Sequence, residues 1–529
     1  GPGDLSYNEY NPLFTRNGLA FQLDASIAEE NTWSNDAIIA GLYDRVAFSL
    51  GQYHTETDGF RTNTDYEQDI YNVFAQFSLS EYTSLQIEIS QDEVTKGDVS
   101  QRLLPSLLVD ENLRVETDTK NSRLGFNHTF SPKLRVLAST INRDKEISAS
   151  TLNPSFNLLR EVDIDISIHD LQIQYISDKH SFIGGLNYNQ DDFKTTSTFN
   201  FSPAPCLLPF PDCTQRNEFV EKQSRLYGYY FYQPSERLNL TSALSVVRDT
   251  SDIFSNKETH VLPKLGAQLS LNNKTTLRIA ALRTNSTAIE SSLYRTLEPT
   301  QIVGFNQIYD ELRQTDAWNY GVGINHKFLP SLTAGLEGVY REGETPFDLL
   351  DTRTFVSSKK NVEFTETNIA GWVNWSPYKH WSISLEYYFN EFNKAKNFNT
   401  TEFSGLSADG VLELETHSLP FAINYYHPLG FIFGFTTTYF DQKGIFQGNQ
   451  IFDIPREAED RFWLSDLAIS YRLPRKHGLI SLGVKNVFDK DFDFEDRNSY
   501  DSLSVEASAS PSALSPERII FGQLSLTFR

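Results

Sequence analysis

A chain of 529 residues with a net charge of 46 − 69 = −23 is strongly acidic, which argues against nucleic acid as a partner. Mean hydropathy is −0.40 and hydrophobic residues make up only 39%, with no apolar run of the roughly 18 residues a transmembrane helix needs. No Pro/Ser-rich linker, low-complexity tract or long charge run divides the chain, so one large sheet fits better than several soluble domains.

Residues 1–16 read as a lead-in segment. Gly1-Pro2 and the lack of any methionine suit a cleavage scar or a processed start. From residue 17 to 529 the chain alternates apolar and polar residues in paired segments. Leu85-Gln86-Ile87-Glu88-Ile89-Ser90, Leu332-Thr333-Ala334-Gly335-Leu336-Glu337, Ile383-Ser384-Leu385-Glu386-Tyr387 and Ile480-Ser481-Leu482-Gly483-Val484-Lys485 show the period of two. Ten tight turns join pairs, from Tyr43-Asp44-Arg45 through Ser131-Pro132-Lys133 and Asn272-Asn273-Lys274 to Pro474-Arg475-Lys476. Eleven longer connections lie between them, at 26–35, 56–65, 94–117, 147–161, 192–215, 251–257, 286–313, 344–359, 393–411, 443–457 and 488–514. Together they join about 22 strands. The expected fold is all-β, an antiparallel transmembrane β-barrel with short periplasmic turns and long extracellular loops. Aromatic residues at 13% supply its interfacial girdles.

Several residues then acquire places. With Leu85, Ile87 and Ile89 on lipid, the lumen face takes Gln86, Glu88, Arg278, Glu337, Glu386 and Lys485. Each either lines a solute path or pairs structurally with its neighbours, the latter being the plainer role for any one of them. The phase of alternation shifts near His169 within 163–175, as a strand extension above the membrane or a bulge would produce. Cys206 and Cys213 share a Pro-rich loop and read as a disulfide formed outside the cytosol. Trp372, Trp375 and Trp381 beside the Pro377 turn read as the periplasmic girdle. Ligand capture is expected on outer loops: 286–313, with Tyr294, Phe305, Asn306 and Tyr309, and the 192–215 loop. Asp489, Asp491, Asp493 and Asp496 resemble a calcium loop, but the sixth and twelfth positions hold Phe494 and Tyr500 instead of Gly and Glu. A solvated strand end with Phe488, Phe492 and Phe494 at the interface is the simpler expectation. No nucleophile elbow or metal-like histidine spacing occurs, so neither enzyme activity, cofactor nor metal is expected. The last strand places Leu524, Leu526 and Phe528 on one face, an assembly signal ending one residue before Arg529.

Two stretches carry a family resemblance. Ile480 to Phe492, with Val484-Lys485-Asn486-Val487-Phe488-Asp489-Lys490, resembles the penultimate-strand motif of TonB-dependent outer-membrane receptors. Leu297-Glu298-Pro299-Thr300 followed by Trp318-Asn319-Tyr320-Gly321-Val322-Gly323 resembles their loop-to-strand passage. The likeness covers the barrel part, with neither plug nor transducer-binding box in this sequence. It implies uptake of a large or scarce solute, with a plug supplied outside this chain. Implied partners are outer-membrane lipid and lipopolysaccharide, the barrel-assembly machinery, and a TonB-type energy transducer or a periplasmic or surface protein. The implied location is the outer membrane of a Gram-negative bacterium. A softer likeness joins Asn8 to Phe14 and Thr57-Asp58-Gly59-Phe60-Arg61 to barrels with periplasmic helical repeats. That implies a plugless export or assembly barrel, secreting a polymer or docking a surface protein.

Overall fold

The computed structural model describes residues 16–105, 109–152, 156–201, 213–252, 256–286, 296–307, 314–350, 357–394, 411–446, 455–496, 512 and 514–528. The first strands are β1 (Gly18–Ala28), β2 (Trp33–Tyr43), β3 (Val46–Thr57), β4 (Tyr66–Ser80), β5 (Thr83–Lys96), β6 (Leu113–Ser131), β7 (Leu134–Leu152) and β8 (Phe156–Ile176). Next come β9 (His180–Phe201), β10 (Thr214–Ser235), β11 (Leu238–Ser251), β12 (Asn256–Asn272), β13 (Thr275–Asn285), β14 (Gln301–Ile302), β15 (Phe305–Asn306) and β16 (Asp316–Leu329). The chain ends with β17 (Leu332–Leu350), β18 (Ser357–Trp375), β19 (Trp381–Lys394), β20 (Val411–Tyr426), β21 (Phe431–Phe446), β22 (Arg456–Arg472), β23 (Gly478–Lys485) and β24 (Ile519–Phe528).

All but β14 and β15 form one 22-stranded sheet of antiparallel neighbours, and β1 pairs with β24 to close it. Closure removes the sheet's edges, which is what lets strands cross lipid. At the seam Phe21 lies opposite Phe528, Leu23 opposite Leu526 and Ala25 opposite Leu524. The Phe21 and Phe528 rings stack at 6.4 Å. The ten tight turns fall where the sequence places them. Seven carry an exposed lysine or arginine: Arg45, Lys133, Lys179, Arg237, Lys274, Lys379 and the Arg475-Lys476 pair.

The outer wall bears a belt of exposed apolar side chains, among them Leu50, Val73, Ile87, Ile89, Leu124, Leu171, Leu186, Val322, Leu336 and Leu482. Further along the same strands, toward the long loops, the apolar face changes sides. On β8, Leu171 and Ile173 face out, whereas Ile164 and Ile168 are buried inside. On β18, Ile369 and Val373 face out, but Val362 and Phe364 are buried. On β22, Leu467 and Ile469 face out while Phe462 and Leu464 face in. The change has a simple cause. Beyond the bilayer the outside is water, so apolar residues move to the inner face and pack there.

Two expectations need correcting. The phase shift near His169 is no bulge: β8 keeps unbroken register with β7 and β9, so the strand extension is the right alternative. The loops at 147–161 and 192–215 are also shorter than expected, because β8, β9 and β10 continue for 21, 22 and 22 residues.

Candidate functional site

The candidate site is the lumen and the chain segments that fold into it. Lumen-facing side chains are strongly polar and paired. Arg123 Nε donates to Glu88 at 2.9 Å, and Asn72 Nδ2 donates to the other oxygen of Glu88 at 2.9 Å. Gln86 and Gln76 are buried beside them. Arg278 Nη2 meets Glu337 at 2.7 Å, which joins two of the sequence-predicted residues. Arg341 Nη1 meets Glu366 at 2.6 Å. Glu386 accepts from the Tyr388 hydroxyl, and Lys485 is exposed at the end of β23. Thus Gln86, Glu88, Arg278, Glu337, Glu386 and Lys485 all lie on the inner face. They are spread around the barrel, not gathered at one point.

Among the described residues, three connections enter the barrel. The first is 97–105, between β5 and β6. Arg61 holds its backbone, donating to the carbonyls of Asp98 at 2.7 Å and Ser100 at 2.9 Å. Leu103 then reaches the opposite wall and packs with Phe364, Phe392, Leu414 and Phe446. The second is 486–496, after β23. Phe492 stacks on Phe462 at 4.2 Å, and Phe494 meets Phe440 edge-on. The two segments are tied by a fully buried ion pair, Arg102 Nη1 to Glu495 Oε1 at 3.0 Å. The Leu103 amide donates to the second Glu495 oxygen at 3.1 Å. Glu495 is also locked to β21: its amide donates to Gln442 at 2.7 Å, and Gln442 donates to its carbonyl at 3.1 Å.

The third segment, 296–307, is the most deeply set. Its Leu297-Glu298-Pro299 passage meets the inner faces of β8 to β12. Glu298 Oε1 accepts from Lys264 Nζ and Ser245 Oγ, both at 2.8 Å, and from the Tyr229 hydroxyl at 2.5 Å. Its Oε2 takes Arg225 Nη1 at 2.9 Å. Gln172 donates to the Leu297 carbonyl. Burial alone would raise the Glu298 carboxyl, but Lys264 and Arg225 outweigh it and hold the group well below the usual carboxylate range. After Thr300 the chain makes the β14–β15 hairpin. Ile302 lies over Gly266, where a Cβ would come within 2.6 Å of it. Phe305 lies over Gly321, where a Cβ would meet its ring at 2.4 Å. The hairpin therefore needs glycine at both wall positions. Arg278 caps it, its guanidinium 5.3 Å from the Phe305 ring centre and its Nη1 donating to the Val303 carbonyl at 3.4 Å. Arg278 is only three residues from the start of β13, so the hairpin descends far toward the periplasmic end.

These contacts revise several expectations. Phe305 is buried inside the lumen and not displayed outside, because the inner faces of β10 and β13 offer Tyr229, Ala280 and Leu282 to it. Asn306 is exposed on the hairpin; Tyr294 and Tyr309 lie outside the described residues. Cys213 is buried and Cys206 lies outside the described residues, so their pairing stays an expectation. Phe492 and Phe494 point into the barrel mouth instead of the membrane interface, and only Phe488 is exposed. The four aspartates of 489–496 do not gather into a cage; Asp489 accepts from the Arg518 amide at 2.9 Å. Trp375 and Trp381 lie on the outer wall, but Trp372 turns inward to fill the space over Gly335. Leu524, Leu526 and Phe528 lie on the lipid face of β24.

The sequence motifs acquire structural meaning. Asn486 has φ of 47° and closes the turn after β23, exchanging 2.9 Å bonds with Lys490 through its amide nitrogen and oxygen. Arg102 carries no signal in the sequence, and Glu298 stands there only within the Leu297-Glu298-Pro299-Thr300 resemblance, which says nothing of its buried partners. The run Leu297-Glu298-Pro299 was the one available signal, an acid between two residues suited to burial.

No family model and no curated protein matches the chain by sequence. Solved structures do match its fold. The copper transporter OprC superposes with a TM-score of 0.72 at 12% identity, over 98% of this chain and 81% of its own. The ferric yersiniabactin uptake receptor FyuA from Yersinia pestis gives 0.71 at 11%, over 97% and 80%. The unliganded ferric citrate transporter FecA gives 0.67 at 12%, over 98% and 79%. The chain has the 22-stranded barrel fold of TonB-dependent outer-membrane receptors. That fold, with its outward apolar belt, is one of the Gram-negative outer membrane.

Proposed function

We propose that this chain is the barrel of an outer-membrane transporter that takes up a scarce metal ion or metal chelate. Energy would come from a TonB-type transducer acting through a plug. The observation that carries the reading is the shared fold over 96–98% of the chain with proteins described as a copper transporter and as iron and ferric-chelate transporters or receptors. The polar lumen is compatible with it: the half-buried Arg278–Glu337 pair and the exposed Lys485 offer hydrogen-bonding groups along a path. Assembly through the barrel-assembly machinery and contact with lipopolysaccharide belong to the same reading, which assigns the chain transport and no catalysis.

A second reading draws on the inner hairpin. A wall covered by 296–307 down to Arg278 is closed to a plug in that sector, as a plugless export or assembly barrel would allow. One experiment separates the two. Cells with and without the gene are compared for accumulation of copper ions and ferric chelates under starvation, with and without a protonophore. Uptake that needs both the gene and the proton-motive force supports the first reading. Uptake independent of the gene overturns it, and gene-dependent release of a polymer or surface protein replaces it with the second.

A further inference from the structure

We infer that the outer wall carries a binding site for one phospholipid of the periplasmic leaflet, with an acyl-chain groove across β10 to β13 and a cationic headgroup seat at their turns. The groove has a volume of about 510 Å³ and an almost wholly apolar lining. Its shape follows from register. One row around the barrel reads Tyr230, Ser242, Leu265, Ala281, and the next reads Tyr232, Leu240, Ala267, Ile279. Across β11 to β13 large and small side chains alternate within each row and between the rows, and on β10 both rows carry a tyrosine. Ser242, Ala267 and Ala281 thus leave a hollow walled by Tyr230, Leu240, Leu265 and Ile279, all four of them exposed on the lipid side.

Depth and charge identify the occupant. Tyr230 and Tyr232 sit near the short-turn end of β10, and His180 stacks on both rings, with Nδ1 2.6 Å from the Tyr230 hydroxyl. Amphipathic rings of this kind lie at the headgroup level of a membrane. Just beyond them the turns present Lys179, Arg237 and Lys274, all exposed and none in an ion pair among the described residues. Arg237 is three residues from Leu240, roughly 10 Å along the strand. Ala267 is five residues from the end of β12, roughly 17 Å, a span an acyl chain can follow. Asp178 and Glu236 share these turns, but Lys179, Arg237 and Lys274 outnumber them, so the rim of an otherwise acidic chain is complementary to a phosphate. The site therefore takes a glycerophospholipid, and an anionic headgroup in preference to a zwitterionic one. It is independent of what crosses the lumen.

The test is native mass spectrometry of the full-length protein released from detergent micelles, titrated with phosphatidylglycerol and phosphatidylethanolamine. The expected result is one retained phospholipid, with phosphatidylglycerol favoured about fivefold or more, as one or two interfacial cations provide. Ala267→Phe fills the groove and should cut retention of both lipids about tenfold. Arg237→Gln with Lys274→Gln should abolish the headgroup preference and leave the groove's hold on phosphatidylethanolamine. Heat-modifiable migration on gels shows that each variant is a folded barrel. Equal retention by wild type and Ala267→Phe overturns the groove. Equal affinity of the wild type for the two lipids overturns the headgroup seat. A second copy of the chain held through this face, in place of lipid, overturns both.

Discussion

Glu298 holds three elements with one carboxylate: Lys264 on β12, Arg225 on β10 and the hydroxyls of Tyr229 and Ser245. Removing one partner of such a buried pair leaves an uncompensated charge. Glu298→Ala is expected to destabilise the lumen packing by about 3–5 kcal/mol, whereas Glu298→Leu with both Lys264→Met and Arg225→Met should recover much of that loss. Thermal unfolding in detergent measures both. The pH sense follows from the depressed native carboxyl. The Glu298 contribution is full above the unfolded carboxylate value of about 4.3 and declines as pH falls below it. The difference in melting temperature between wild type and Glu298→Ala should therefore narrow in acid, and a constant gap would refute the ion-pair account. A separate expectation concerns Cys206 and Cys213. If they are bonded, alkylation of the unfolded protein adds two labels only after reduction; two labels without reductant would show free thiols. Residue-scale chemistry was only partly legible in the sequence. Glu88, Arg278 and Glu337 could be placed inward by parity, but their partners Arg123, Asn72 and Phe305 come from other strands or a distant loop.

At the level of strands, alternation fixes which face a residue takes, and the sign of the apolar face reports its surroundings. On β8 the change between Leu171 outward and Ile168 inward marks where lipid gives way to water. Single bimane-labelled cysteines at positions 171 and 163, in a background lacking Cys206 and Cys213, test this in vesicles of brominated lipid. Quenching is expected at 171 and not at 163; equal quenching would mean that the belt extends higher. A charge placed on the belt should also be costly. Leu482→Arg, on the outer face of β23, is expected to lose about 2–4 kcal/mol of folding stability if it lies near the midplane, and much less near an interface. In the sequence the phase shift near His169 fits an extension or a bulge equally well. Only the unbroken pairing with β7 and β9 removes the bulge. Trp372 departs from the girdle for a related reason: three nearby tryptophans look alike in the sequence, yet parity turns this one away from Trp375 and toward the lumen.

The whole molecule is a closed wall with an interior partly filled by its own connections. Leu103 reaches from the β5 side to β18–β21, and Arg102 binds Glu495 across a separation of 393 residues. The hairpin of β14 and β15 lines another sector. The barrel in a planar bilayer should therefore conduct poorly. Excision of 296–307 with a short Gly-Ser replacement is expected to raise single-channel conductance severalfold while strand content by circular dichroism is retained. Arg102→Ala with Glu495→Ala should produce brief openings instead, because Phe492 and Leu103 keep their apolar seats. Unchanged conductance in both variants would show that these segments do not restrict the path.

By itself the sequence determined the strand count, the ten turns, the inner and outer faces and the membrane class. These depend on local alternation and turn chemistry, which neighbouring residues express without help. The tertiary structure alone decided where the long connections go. Their residues gain nothing from local alternation; Phe305, Phe492 and Leu103 are drawn inward by apolar surfaces on the inner wall, which for Leu103 lie on strands far away in the chain. Buried charges such as Arg102 and Glu298 follow, since inside the barrel each is stable only beside the partner that the closed wall brings to it.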